Sequence, residues 1–430
     1  MLYFRINTFT IATANNKHVS WLYLLLLILA GEAVFILPFV LPRIFRPTVL
    51  DVFEMSNLDY NLSVAVYGVI AMVSYPFGGP LADKFPPRKL IALALWLTAL
   101  GGVFYAQYPG LGTLKILYGY WGFTTIFLFW APMIKATRVW GGDSSQGKAF
   151  GLLDGGRGLT GALFGLLGVY KFSVFLSVDI TEAELGDRQK AFTYVIYVAS
   201  GLIVFIGILV WLFMKSGSNE KEILLDGITW KELKQVLKLP SVWLLMVIIL
   251  CAYVGYKITD VVSQYANEVM LYDQVRSAKV GTFLQFLRPA TGIVVGLLVD
   301  RFKITFWLFL SLVFCIVGGV LFASGSIAPS TAVLFFMSVT IVGVGVYAAR
   351  ALYFGVMRVG RIPLVLTGTA VGLISLIGYT PDIFAGPAYG YFLDQYPGEQ
   401  GHQYVFWMLT AFSSLGAMAS LAYYWIYQKE

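Results

Sequence analysis

The sequence predicts an all-α membrane protein whose twelve transmembrane helices form two pseudo-symmetric six-helix bundles. Three observations carry this. Of 430 residues, 58% are hydrophobic and only 12% charged, roughly half the charged share of a soluble domain. The mean hydropathy of +0.76 leaves little chain for a water-exposed globule. Finally, Gly-Pro-Leu-Ala-Asp-Lys-Phe at 79–85 returns as Gly-Leu-Leu-Val-Asp-Arg-Phe at 296–302, an offset of 217 residues, close to half the chain. One bilayer crossing takes about 20 mostly apolar residues, so twelve use about 240, near the apolar share observed.

Apolar runs cut by Gly, Pro and charge clusters place the helices in order. Helix 1 is expected at about 20–43. The polar stretch before it has no small-residue cleavage site after a short apolar core, so it reads as an anchor and not a signal peptide. Helix 2 at about 61–82 ends in the first copy of the repeated motif, and helices 3 and 4 follow at about 90–107 and 115–134. Helix 5 at about 149–171 carries Asp154-Gly-Gly-Arg157, and helix 6 spans about 192–214. The polar segment 215–240 reads as a cytoplasmic linker with a short amphipathic helix. Helix 7 at about 241–264 holds Lys257 and Asp260, and helix 8 at about 277–299 holds Arg288-Pro289 and ends in the second motif. Helices 9 to 12 are expected at about 304–325, 329–352, 366–392 and 405–426. The organisation is therefore a bundle over 1–214, the linker 215–240, and a second bundle over 241–430. Gly151 and Gly155 of helix 5 map by the same offset onto Gly368 and Gly372 of helix 11. Repeated six-helix units are the build of a transporter with one central site between its halves.

Orientation follows from Lys and Arg in the short loops. With the N-terminus in the cytoplasm, 18 fall on the inner side, 8 on the outer side and four within spans, namely Arg157, Lys257, Arg288 and Arg350. Both termini and the linker are thus expected in the cytoplasm, with the chain in the cytoplasmic (inner) membrane. The same asymmetry accounts for most of the +7 charge and the pI near 9.1, which argues against a nucleic-acid partner. Cys251 and Cys315 sit in apolar runs, so neither a disulfide framework nor a thiolate metal site is expected. His18 and His402 lie outside the expected spans, leaving zinc ligation and histidine catalysis little to work with. No Walker loop, HExxH or GxSxG is present, so the chain reads as no enzyme, with no metal or cofactor.

The motif after helix 2 resembles the loop signature of the major facilitator superfamily, Gly-x-Leu-x-Asp-Arg/Lys-x-Gly-Arg-Arg/Lys. It is matched by Gly79, Leu81, Asp83, Lys84, Arg88 and Lys89, and again in shorter form by Gly296, Leu298, Asp300 and Arg301. Pro86-Pro87-Arg88 delays the first basic residue by one place, a spacing more like the organophosphate/phosphate antiporters and related anion porters than the sugar/proton symporters. The resemblance implies that Asp83 faces the positive N-terminus of helix 11 and nearby basic residues, latching the two halves in the outward-facing state. Lys135 and Arg138, before helix 5, are candidate partners. It also implies that helices 3, 6, 9 and 12 are outer supports facing lipid while the others line a cavity.

Ionisable groups inside lipid are costly and usually face a cavity or one another. Those within the expected spans are Glu32, Asp154, Arg157, Lys257, Asp260, Arg288, Arg350 and Asp382, and none falls in helices 3, 6, 9 or 12. Asp154 and Arg157 are three apart on one helical face and read as a structural pair or second latch. Lys257 and Asp260 have the same spacing, open between a structural pair and a substrate-facing one. Arg288 has no opposite charge nearby in its helix and needs a carboxylate from another helix or an anionic ligand, for which its planar fork suits carboxylate or phosphate. Arg46 is a rim charge or reaches the outer cavity. Glu32, Asp382 and Asp260 are the proton-coupling candidates. Tyr253, Tyr256, Gln285 and Tyr379 are candidate hydrogen-bonding groups for the solute. In helix 11, Gly368, Gly372 and Gly378 with Pro381 beside Asp382 predict a hinge.

The expectation is a monomeric secondary active transporter, in contact with membrane lipid, that moves a small polar solute by alternating access. An organic anion such as a sugar phosphate or carboxylate fits the charge balance. Proton-coupled symport of a neutral sugar fits too, as does a counter-anion exchanger, and a transporter-like solute sensor is a further alternative.

Overall fold

The computed structural model describes residues 21–141, 146–176, 183–214, 230–299, 303–357, 359–362 and 367–427. Among them the regular structure is entirely helical, and the helices group into twelve columns in the predicted order. Helix 1 runs Trp21–Ala33, bends by 43° and continues through Ile36–Val40, Leu41–Ile44 and Arg46–Val52. Pro38, Pro42 and Pro47 explain the interruptions, because each lacks the N–H that would close a helical turn. Helices 2 and 3 are Asn57–Lys84 and Pro87–Tyr105. Helix 4 is Leu111–Gly122, a π-helical stretch Phe123–Trp130, and Ala131–Gly141. The hydroxyls of Thr124 and Thr125 donate to the Trp121 carbonyl where the turn widens. Helices 5 and 6 are Gln146–Phe175 and Leu185–Phe213, and Trp230–Leu237 forms a short linker helix.

Helix 7 is Pro240–Ile258, one tight turn Thr259–Val261, then Val262–Glu268. Helices 8, 9 and 10 are Gln274–Val299, Ile304–Ala323 and Ala332–Leu352. Helix 11 breaks into Thr367–Gly378 and Pro381–Gln395, and helix 12 is Glu399–Tyr427. Eight described helices are long and apolar enough to cross a membrane, or nine with bent helix 1. The interrupted helices 4 and 11 fall short of that test as separate pieces, and helix 8 carries Arg276, Lys279 and Arg288 within its length.

Helices 2 and 4, 3 and 6, and 1 and 5 pack together in the first set, while 9 and 12, 9 and 10, and 7 and 12 do so in the second. Two seams join the sets: helix 2 against helix 11, and helix 5 against helix 8. Both close at the end far from the linker and part toward the linker end. A Cβ at Gly68 of helix 2 would strike the backbone of Asp382, and one at Gly281 of helix 8 would strike that of Ile44. Further down the same faces, Gly79, Gly151, Gly155 and Gly292 meet nothing. Among the described residues the two sets thus form a wedge, in contact at the distal end and parted at the linker end.

One sequence expectation needs correcting. His402 lies inside helix 12 and is fully buried, its Nε2 at 2.9 Å from Glu268 Oε2 and its ring edge-on to Tyr265. The apolar run that begins at Val405 is shorter than the helix because the helix starts with polar residues at Glu399.

Candidate functional site

The wedge narrows onto buried charges contributed by helices 1, 5, 7, 8, 10 and 11. Three connected groups can be distinguished. In the first, Arg288 of helix 8 bridges the two sets: its Nη2 lies 2.7 Å from Asp154 Oδ1 and its Nη1 3.4 Å from both Glu32 oxygens. Arg157 Nε lies 3.3 Å from Glu32 Oε2, an ion pair without hydrogen-bond geometry. The spacing within helix 5 permits an Asp154–Arg157 pair, but the two side chains take different partners, Arg288 and Glu32. Glu32 is 3% exposed and Asp154 46%, so the open cavity reaches Asp154 and stops short of Glu32.

In the second group, Lys257 Nζ sits 3.4 Å from Asp260 Oδ2 and 3.4 Å from Asp382 Oδ1. Asp382 occupies the first turn after the helix 11 break, at the positive end of the distal half-helix. The Tyr253 hydroxyl donates to both its oxygens, at 3.2 and 3.1 Å. Lys257 also lies 4.9 Å from the centre of the Phe39 ring across the seam.

The third group lies at the distal seal, and the sequence reading missed most of it. Arg43 Nε meets Asp260 Oδ1 at 2.5 Å and its Nη1 donates to the Tyr256 hydroxyl at 2.9 Å. Position 43 counted as an outer-loop charge because the apolar run of helix 1 ends there; the helix itself continues to Val52 and Arg43 is buried. Arg43 and Asp260 are 217 residues apart, the offset of the repeated motif. The two positions that face each other here are equivalent points of the two repeats. Further out, Asp394 of helix 11 caps helix 2 across the seam, accepting from Asn57 N at 2.9 Å and Leu58 N at 2.7 Å. Gln274 links Thr48 and Asp51 to helix 8. Replacing Asp394 with Asn removes the charge at that helix N-terminus and loosens the seal. The expected result is faster maleimide labelling of a Val64→Cys probe from the distal side, against a background in which Cys251 and Cys315 are buried.

Arg350 of helix 10 differs from Arg43, Arg157, Lys257 and Arg288. No described carboxylate lies within ion-pairing distance, and its Nη1 is buried with no hydrogen-bond partner. Its guanidinium carbon lies over Tyr256, 3.9 Å from the ring centre, with Tyr253 at 5.9 Å. Arg43 Cζ lies 4.4 Å from the same Tyr256 ring, so this tyrosine contacts both the distal pair and the uncommitted arginine. Nearby, Tyr379 bonds to Tyr353 at 3.2 Å and Gln285 to Tyr347 at 3.4 Å. The four clustered carboxylates, Glu32, Asp154, Asp260 and Asp382, face five cations, Arg43, Arg157, Lys257, Arg288 and Arg350. The signal for Arg350 was present in the sequence as a charge inside a span, but only geometry shows that the carboxylates are already taken.

Among comparisons with known proteins, the family profile described as Major Facilitator Superfamily matches residues 22–386. The chain belongs to the major facilitator superfamily. It is a multi-pass membrane transporter by family and not an enzyme. Curated relatives include the Escherichia coli (strain K12) inner membrane proteins YqcE, 25% identical and covering 90% of this chain and 91% of that one, and YihN, 23% identical and covering 94% of both. Among solved structures, a bacterial homolog of the human lysosomal transporter Spinster, inward-facing and unoccupied, superposes with a TM-score of 0.71 at 16% identity over 93% of this chain and 97% of that one. The nucleoside transporter NupG superposes with a TM-score of 0.68 at 14% identity over 96% and 100%. These structures share the major facilitator fold.

The loop motifs of the superfamily sit at the linker end. Lys135 of helix 4 donates to the Ala82 carbonyl at 3.0 Å, one residue before Asp83, whose side chain lies outside the described atoms. Lys84 is exposed, and the Arg88 guanidinium lies 5.7 Å from the Trp211 ring. Gly79 faces open space and Arg138 ends helix 4 on an exposed position. Asp300 and Arg301 fall outside the described residues.

Proposed function

We propose that the protein carries a small organic anion, a sugar phosphate or carboxylate, across the cytoplasmic membrane by alternating access. Arg350 carries this reading. A half-buried guanidinium with one buried, unpartnered nitrogen and no counter-charge is costly, and its fork fits phosphate or carboxylate oxygens. The aromatic rings of Tyr253 and Tyr379 nearby suit the apolar face of a sugar ring, while the Tyr256 ring is already covered by Arg350 and Arg43. A monocarboxylate or a singly ionised phosphate would balance the five cations against the four carboxylates.

With both termini and the linker in the cytoplasm, the wedge is the inward-open state and the Arg43–Asp260 pair belongs to the closed outer gate. Closing the wedge brings the ends of helices 2 and 11 together, where Asp83 would meet the helix 11 N-terminus. Asp83→Asn should then slow transport in vesicles while leaving expression unaltered, and unchanged turnover removes the latch. A second reading, proton-coupled transport of a neutral solute, draws on Asp382, a carboxylate that Lys257 holds only at 3.4 Å. A thermal-shift screen of the purified protein separates the two, since a ligand stabilises the state it binds. Stabilisation by sugar phosphates or carboxylates, and not by the neutral parent sugars, is expected; the reverse order overturns the anion reading.

A further inference from the structure

A separate cavity lies on the distal side of the cluster, lined by Arg43, Arg46, Tyr60 and Asn61 of the first set and by Asp260 and Tyr389 of the second. It has room for about one water-sized group. Two buried donors on its walls lack partners: Arg46 Nε and Asn61 Nδ2, in side chains that are 2% and 1% exposed. Arg46 has no described carboxylate in ion-pairing range; its Nη2 donates to Asn57 Oδ1 at 3.1 Å and its guanidinium lies 4.9 Å from the Tyr60 ring centre and 6.0 Å from that of Tyr389. The side-chain amide oxygen of Asn61 is already used, accepting from the Tyr389 hydroxyl at 3.3 Å.

Charge decides what such a space takes. Asp260 also lines it, but that carboxylate is committed to Arg43 at 2.5 Å and to Lys257 at 3.4 Å. Among the residues that line the space, Arg43 and Arg46 stand against Asp260; Lys257 and Asp382 pair outside it, and Asp394 lies beyond Asn57, so the lining carries one positive charge behind aromatic rings. Water would satisfy the two orphaned N–H groups and leave that charge; a small anion satisfies both.

We propose that this cavity is an inorganic anion site of chloride size, distinct from the solute site at Arg350. Its walls come from both sides of the seam, so it is complete only while the distal end is closed. Binding there holds that end shut by linkage, stabilising one of the two alternating states. The inference is independent of the solute's identity.

The test is thermal unfolding of the purified, full-length protein as chloride replaces gluconate at constant ionic strength, without organic solute. A saturable rise in melting temperature with chloride is expected, matched by bromide. Arg46→Gln should abolish the rise. Should that variant fail to fold, Asn61→Val keeps the charge and removes one donor, and the half-saturating chloride concentration should rise about tenfold. Equal stability in chloride and gluconate, or a chloride response that survives unaltered in the variants that fold, overturns the proposal.

Discussion

Arg350→Gln is expected to reduce uptake of the anionic solute by about ten- to a hundredfold, the worth of a lost charge-assisted hydrogen bond in a dry site. The same change should leave the melting temperature of the solute-free protein unaltered or raise it. Removing a buried cation that has no partner relieves a desolvation cost instead of creating one. A merely structural arginine behaves in the opposite way. The diagnostic result is therefore a protein that stays folded and loses its solute-induced thermal shift. Arg350→Lys keeps the charge but gives up the fork and the guanidinium contact with Tyr256, whose ring centre lies 3.9 Å away, and should fall between. Wild-type uptake in Arg350→Gln vesicles would mean that the recognition charge lies elsewhere.

Arg288 is expected to show the complementary pattern. It reaches Asp154 at 2.7 Å with one nitrogen and Glu32 at 3.4 Å with the other, joining helices 1 and 5 to helix 8 across the seam. Breaking a buried ion pair by removing one partner costs about 3–5 kcal/mol, because the other charge is left uncompensated. The lower part of that range applies, since Asp154 is half exposed to the cavity and Glu32 retains Arg157. Arg288→Met should accordingly lower the melting temperature of the solute-free protein and abolish transport. Arg288→Lys should keep most of the stability yet still impair transport, because an ammonium lacks the planar fork whose two nitrogens reach Asp154 and Glu32 separately. Combining Arg288→Met with Glu32→Gln should recover part of the lost stability, the signature of coupled residues in a double-mutant cycle. Strictly additive losses would count against the bridge.

The two arginines show how far the sequence reaches. Hydropathy located the helical columns because lipid contact demands long apolar segments, and it separated Glu32, Asp154, Arg288 and Asp382 from the outer helices. The contact between Lys257 and Asp260 was readable because three residues is nearly one helical turn. The same rule allowed an Asp154–Arg157 pair that does not form, since partners across the seam offer each side chain a closer fit. Arg43 was misplaced because the end of an apolar run is not the end of a helix: helix 1 passes through Pro38, Pro42 and Pro47 and carries buried charge beyond its apolar segment. The isolation of Arg350 was invisible for a different reason. It is a statement about which carboxylates the other cations hold, and those carboxylates lie on helices 1, 5, 7 and 11, far apart in sequence. Asp394 on the helix 2 N-terminus, 336 residues from Leu58, leaves no local trace at all.

The most direct test of the central claim is counterflow in proteoliposomes, in which vesicles loaded with an unlabelled sugar phosphate take up the labelled compound. Counterflow is expected for the anion, with none for the neutral parent sugar and loss of the anion signal in Arg350→Gln. Equal counterflow of the neutral sugar, undiminished in Arg350→Gln, would contradict that claim.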